Sequence, residues 1–172
     1  TILEKLGEGG MGVVYKARDS NLERLVALKF LPFSLTADEL ILQQFIHEAK
    51  TVSTLDHPNI CPIHEFDNDG NGRMFMVMPY YDGQTLQDKI VWAHGDAPIP
   101  INEIITIIKQ IAVGLKKAHE QGIIHRDIKP SNIIITRENG VKILDFGLAK
   151  LKNELGKNDP FARPGTVTYM SP

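Results

Sequence analysis

His125-Arg126-Asp127-Ile128-Lys129-Pro130-Ser131-Asn132 is the stretch on which the reading of this chain turns. It matches the order H-R-D-x-x-x-x-N without a gap. Asp127 is a carboxylate able to accept or orient a proton on an attacking hydroxyl. Lys129 brings a positive charge suited to a transferring phosphoryl group, and Asn132, five residues after Asp127, offers a neutral oxygen to a metal ion. A plain charged loop between a helix and a strand accounts poorly for eight consecutive positions in this order. Eighteen positions past Asp127 comes Asp145-Phe146-Gly147, at the end of a β-prone run over 141–144. A carboxylate at a strand end is placed to hold Mg²⁺. Alone, D-F-G is a simple turn; its position behind the Asp127 loop gives it weight.

Working toward the N-terminus, two further features point at phosphate chemistry. Gly7-Glu8-Gly9-Gly10-Met11-Gly12 fits G-x-G-x-x-G, a pattern that lets backbone N–H groups approach an anion with no Cβ in the way. A dinucleotide fold requires a helix to begin at such a loop. Here Val13-Val14-Tyr15 follows, which is a strand signal, so the loop reads as a flap between two strands, and Val14 extends the pattern to G-x-G-x-x-G-x-V. Lys29 lies in Val26-Ala27-Leu28-Lys29, where Ala27 and Lys29 share one strand face. Ala27 leaves room for a flat base while Lys29 meets phosphates. Glu48 stands beside the apolar stripe of a predicted helix, three after Phe45 and four before Val52. A solvated helix-edge glutamate and an exposed strand lysine are the ordinary fates of each residue alone. As a pair ~4 Å apart they would attract by roughly 4 kcal/mol at an effective dielectric of 20, before desolvation, which orients Lys29 more than it stabilises the fold.

The rest of the chain supports one organised globular unit. Of 172 residues, 42% are apolar and 23% charged, which excludes disorder as the overall state. A net charge of −2 argues against nucleic-acid binding through a bulk basic surface. A single cysteine, Cys61, excludes an internal disulfide framework and fits a reducing compartment. No run of apolar residues is long enough to span a membrane. Strands are predicted at 13–17, 25–31, 60–66, 74–79, 123–124, 133–136 and 141–144. Helices are predicted from Thr36, with Glu39 completing a capping box, to about Leu55, then over 85–92 and 102–121, the last with a wide apolar face and Gly122 as its stop. Residues 151–172 read as a long polar loop.

Over nearly its whole length the sequence resembles the protein kinase superfamily, and Lys129 with the run 165–172 is similar to Ser/Thr rather than Tyr kinases; residues 7–19 look like bacterial kinases of eukaryotic type. The resemblance implies an α+β, two-lobed fold: residues 1–83 as an antiparallel sheet with helix C and the hinge, residues 84–172 as a partial, mainly helical large lobe. It implies ATP with Mg²⁺, or Mn²⁺ in its place. Leu6, Gly7, Gly9, Gly10 and Gly12 would cover the nucleotide, Lys29 would contact the α/β-phosphates and pair with Glu48, and Val14, Ala27 and Ile134 would enclose adenine. Met78 takes the gatekeeper position; the Pro79 carbonyl and Tyr81 N–H would bond the adenine edge. Asn132 and Asp145 would hold metal, with Asp127 as the catalytic aspartate and Lys129 beside it. Protein Ser/Thr hydroxyls are the implied acceptors.

Two departures shape what is expected. The sequence stops at Ser171-Pro172, inside what looks like the A-P-E position. These 172 residues alone are therefore expected to be weak or inactive, with apolar area left uncovered on the helix over 102–121. Between Leu148 and Gly165 there is no Ser, Thr or Tyr. Activation is thus expected not to need a phosphate there, with Glu154 or Asp159 offering Arg126 a standing charge, or both simply solvated. The competing readings are a nucleotide-binding pseudokinase or scaffold and a small-molecule phosphotransferase. Loss of Lys29, Asp127 or Asp145 would mark the first, and none is lost. A cytoplasmic location is expected, with membrane anchoring of a longer parent as the variant; the oligomeric state is left open.

Overall fold

The computed structural model describes residues 1–9, 12–37, 39–93 and 98–146, the side chains of Ser34, Leu35, Ile41 and Glu48 excepted. The roles expected of Gly10, Gly147, Glu154, Asp159 and the run 165–172 fall on positions outside the described residues. Contacts divide the described chain into two units: Thr1–Thr54 with Pro62–Tyr80, and Leu55–Cys61 with 81–146.

The first unit is a five-stranded antiparallel sheet in the order β1-β2-β3-β5-β4. Its strands are β1 Ile2–Gly9, β2 Gly12–Asp19, β3 Arg24–Phe30, β4 Glu65–Asn68 and β5 Met74–Pro79, with helices α1 Phe33–Thr36 and α2 Glu39–Ser53 between β3 and β4. Alternation assigns the faces. Ala17, Val26 and Val77 form a buried cluster on one side, with Leu28 and Phe75 packed against it. On the other side the register aligns Val14 with Lys29, Lys29 with Met76 and Met76 with Phe66. Phe45 of α2 meets Phe66 edge-on, ring centroids 5.3 Å apart, so α2 covers the face that carries Lys29. Phe45, Ala49 and Val52 are the helix's buried stripe. The β4–β5 link is a hairpin: Asp69 Oδ1 accepts from the N–H groups of Asn71 and Arg73, and Gly70 and Gly72 take positive φ.

The second unit places β6 Gly83–Thr85, β7 Ile133–Thr136 and β8 Val141–Ile143 in one sheet, in the order β6-β7-β8, with helices α3 Leu86–Ala93 and α4 Ile101–Glu120. Thr85 caps α3: its hydroxyl accepts from the Asp88 N–H (3.0 Å) while the Asp88 carboxylate accepts from the Thr85 N–H (3.3 Å). Gly122 ends α4 at φ +74, with its N–H on the His119 carbonyl and the Ile123 N–H on the Ala118 carbonyl, the Schellman pattern.

Several expectations are corrected. Thr36 does not start α2; it closes α1, its hydroxyl donating to the Phe33 carbonyl, because Pro32 at the head of that turn begins helical structure earlier. The predicted strand 60–66 shrinks to β4, since Pro62 has no N–H for a ladder, and Ile60 instead bridges Ile143 in the second unit. Residues 123–124 form no strand. β6 and β1 are absent from the predicted strands: β6 is short and polar, and β1, an edge strand exposed on both faces, has no alternation to read. Helix α4 buries Ile107, Gly114 and Ala118, while Ile105 and Ile108 stay exposed, the latter at 58%.

Candidate active site

The loop after α4 is built around His125. Its ring is 1% exposed, and Nε2 donates to the Leu144 carbonyl at 2.7 Å. Nδ1 accepts the Asp127 N–H at 3.2 Å, which fixes the neutral tautomer protonated on Nε2. Burial lowers the ring's pKa below its ordinary value, against the smaller opposing pulls of the Leu144 carbonyl and of Asp145 and Asp127. Arg126 lies at φ +66, a left-handed conformation that is costly for a residue with a Cβ and that turns the chain sharply between the histidine and the aspartate.

Asp127 then accepts three hydrogen bonds from two side chains. Lys129 Nζ donates to Oδ2 at 2.9 Å; Asn132 Nδ2 donates to the Asp127 carbonyl at 2.9 Å and to Oδ2 at 3.3 Å. Pro130–Asn132 forms a single 3₁₀ turn, with Pro130 supplying the fixed φ, and this turn brings Asn132 back over Asp127. Because the amide nitrogen faces the Asp127 carbonyl, the Asn132 side-chain oxygen is turned away from Asp127.

The second motif joins the first through one peptide. Leu144 donates its N–H to the Asn132 carbonyl at 2.8 Å and accepts from His125 with its own carbonyl. Asp145, next along, adopts φ +59, and Phe146 is buried with its ring 4.5 Å from that of His125. The run 125–132 and Asp145-Phe146 are therefore one hydrogen-bonded cluster. Sequence reasoning gave no role to His125 or Leu144. The only signal for the histidine was its membership of the motif, and Leu144 acts through its backbone, which no side-chain pattern announces.

Asn132 and Asp145 suit a hard divalent cation: both offer oxygen, and Mg²⁺ is ordinarily held by one or two protein groups with phosphates and water completing the shell. Among the described residues no cluster of three or more His, Cys, Asp or Glu could hold a metal by itself. The donor set thus fits a cation that arrives with a phosphate ligand rather than a closed structural site.

In the other unit, the glycine segment joins two antiparallel strands, with Gly9 opposite Gly12. Gly12 needs to be glycine: φ is +106, and a Cβ there would stand 1.8 Å from the Phe30 carbonyl oxygen. At Gly7 and Gly9 a Cβ would meet nothing within 4 Å, so the chain itself sets no steric demand for glycine there. Leu6 is exposed, while Ala27 and Met78 are buried and directly opposed on neighbouring strands. Lys29 is only 3% exposed, unusual for lysine, which is almost never fully buried unless paired. Glu48 lies on α2 one turn after Phe45, and its side chain is outside the described residues. Val14 lies opposite Lys29, and Pro79 ends β5 opposite Val26. Tyr81 and Ile134 belong to the second unit. There the Lys142 ammonium sits 4.9 Å from the centre of the Tyr81 ring, and burial, ahead of the Cys61 thiol, pushes the phenol's pKa up.

Three comparisons bear on this cluster. The family model described as "Protein kinase domain" matches residues 1–172. Serine/threonine-protein kinase pkn3 of Myxococcus xanthus is 38% identical over 177 residues, covering 97% of this chain and 31% of its own length. Serine/threonine-protein kinase PrkC of Bacillus subtilis is 37% identical over 171 residues, covering 99% of this chain and 26% of its own. The crystal structure of the M. tuberculosis PknI kinase domain superposes with a TM-score of 0.73 at 30% identity, covering 86% of this chain and 57% of that one. The chain thus spans about a third or less of the curated relatives it matches.

Proposed function

The chain belongs to the protein kinase domain family, and from that premise we propose that the protein of which these residues are part transfers the γ-phosphoryl group of ATP to Ser or Thr hydroxyls of proteins. The observation that carries the reading is the Asp127 cluster: a carboxylate held on one oxygen by Lys129 and Asn132, with Asp145 anchored beside it through Leu144.

Each residue has a distinct task. Asp127 presents Oδ1, the oxygen turned from Lys129, to the acceptor hydroxyl and takes its proton as the new O–P bond forms; the bond to the β,γ-bridging oxygen breaks and ADP leaves. Lys129 offsets charge on the transferring group. Asn132 and Asp145 would hold Mg²⁺, or Mn²⁺ in its place, which would supply neutralisation of the phosphate charge. Gly7, Gly9, Gly10 and Gly12, with Leu6, lie over the phosphates; the freedom of space at Gly7 and Gly9 supports a role in ligand approach. Lys29, oriented by Glu48, meets the α/β-phosphates. Val14, Ala27, Ile134, Met78, Pro79 and Tyr81 receive adenine. Most of the rate gain in such a transfer comes from positioning and electrostatics. Residues 1–83 are taken as the nucleotide-covering lobe with its hinge and 84–172 as part of the substrate lobe. No helix of the described residues is long and apolar enough to cross a membrane. We place the domain in the cytoplasm, where ATP is found and where the buried Cys61 thiol persists reduced.

The test uses Asp127→Asn in the full-length protein. Turnover of a Ser/Thr protein substrate is expected to fall by ~10²–10⁴ while ATP affinity holds within a few-fold. Equal turnover by the variant sinks the assignment. ATP binding by a wild-type protein with no phosphotransfer would turn the reading to a nucleotide-binding scaffold.

A further inference from the structure

Strand β8 has only three residues and forms one edge of its sheet, yet its outer side is fully bonded. The Ile143 N–H donates to the Asn59 carbonyl at 2.8 Å, and the Cys61 N–H donates to the Ile143 carbonyl at 2.9 Å, so residues 59–61 act as a short neighbouring strand. That segment does not reach Val141 with its backbone. Two side-chain amides continue the ladder. Gln110 Oε1, from α4, accepts the Val141 N–H at 3.0 Å, and Asn59 Nδ2 donates to the Val141 carbonyl at 3.0 Å. The amides also hold each other, Asn59 Nδ2 to Gln110 Oε1 at 3.1 Å, while Gln110 Nε2 donates to the Asn139 carbonyl in the turn that feeds β8.

The node has a functional consequence because of what β8 leads into. A strand this short carries few ladder bonds to specify its register, and a one-residue slip would move Asp145 by about 3.3 Å and reverse its facing. Gln110 grips both Val141 and Asn139, so it fixes where β8 begins. Four residues on from Val141 stands Asp145. The helix is also kept close: a Cβ at Gly114, one turn after Gln110, would come within 2.9 Å of Ile143 Cδ1 and 3.2 Å of Asn59 Cβ.

We propose that Gln110 is a positioning residue for Asp145: its amide sets the register of β8, and through it the place of the carboxylate that holds the cation. This rests on the kinase reading for its consequence, though not for its geometry. Gln110 touches neither nucleotide nor metal; it acts through Val141 and the strand.

The test compares Gln110→Leu and Gln110→Glu with wild type in the full-length protein, with two readouts. The first is the Mg²⁺ concentration giving half-maximal phosphotransfer at saturating ATP. Gln110→Leu should raise it threefold to tenfold. Gln110→Glu, which keeps the acceptor for Val141 but not the donor to Asn139, should raise it by a smaller factor. The second is amide hydrogen exchange at Leu144, whose N–H bonds Asn132; exchange should quicken at least tenfold in Gln110→Leu in the absence of any nucleotide. A lowered melting temperature with unchanged Mg²⁺ dependence and unchanged Leu144 exchange would show a merely structural role and overturn the proposal. Should Gln110→Leu fail to fold, Gln110→Glu decides it by the same two readouts. Should wild type show no phosphotransfer at all, the kinase reading fails, and Leu144 exchange alone still decides whether Gln110 positions β8.

Discussion

Replacing His125 by leucine removes the ring that links the Asp127 loop to Leu144 and Phe146. Two hydrogen bonds go: the Asp127 N–H loses its acceptor at Nδ1, and the Leu144 carbonyl loses its donor at Nε2. Both orphaned groups are half-buried rather than sealed, so each costs about 1–1.5 kcal/mol, at the lower end of the range for an unsatisfied polar group. The edge-on contact with Phe146 adds about 0.5–1.5 kcal/mol. The sum, about 2.5–4.5 kcal/mol, corresponds to a fall of roughly 5–18 °C for a domain of this size. Differential scanning calorimetry of the full-length protein, following the transition of this domain, measures it. His125→Phe keeps a ring against Phe146 and loses both bonds, so it should recover part of the loss, about 1 kcal/mol. A His125→Leu protein melting within ~2 °C of wild type would refute the reasoning, because at ~2–4 °C per kcal/mol the bonds would then contribute less than about 1 kcal/mol together.

The His125 pKa is held below 6.5 by burial, so below that pH the unfolded chain binds a proton that the folded chain resists. This group therefore leaves stability unchanged above pH 6.5 and lowers it as the pH falls from 6.5 toward the folded pKa; urea midpoints across that window should drop. The slope should be shallower in His125→Phe, with His64, also lowered, supplying part of the remainder. Gly12→Ala should destabilise by roughly 1–3 kcal/mol in a denaturant titration, since it forces a left-handed φ and a clash with the Phe30 carbonyl. The same exchange at Gly7, where a Cβ meets nothing, should stay within about 1 kcal/mol. Ile108→Lys, on the exposed face of α4, should raise the concentration at which the protein aggregates while shifting stability by no more than about 0.5 kcal/mol.

Legibility in the sequence followed the range of the interactions. The cap at Gly122, the long helix α4 and β5 were readable because each is written in local chemistry: a positive φ that glycine takes freely, a 3.6-residue apolar period, a short unbroken apolar run. The motif residues were readable because their types and spacing are restrictive. The capping role given to Thr36 failed because a nearer proline starts a separate turn, and the strand at 60–66 failed because Pro62 interrupts it while Ile60 pairs far along the chain.

By itself, then, the sequence determined which side chains could do phosphate and metal chemistry and which local elements would carry them, since composition and spacing act over a few residues. Only the tertiary structure decided how those carriers are joined: that His125 and Leu144 tie Asp127 to Asp145, that α2 covers the sheet face bearing Lys29, and that side-chain amides from α4 and residue 59 complete the edge of β8. Backbone groups are chemically alike at every position, so the partner each one finds is fixed by where the folded chain places it and not by the identity of the residue that owns it.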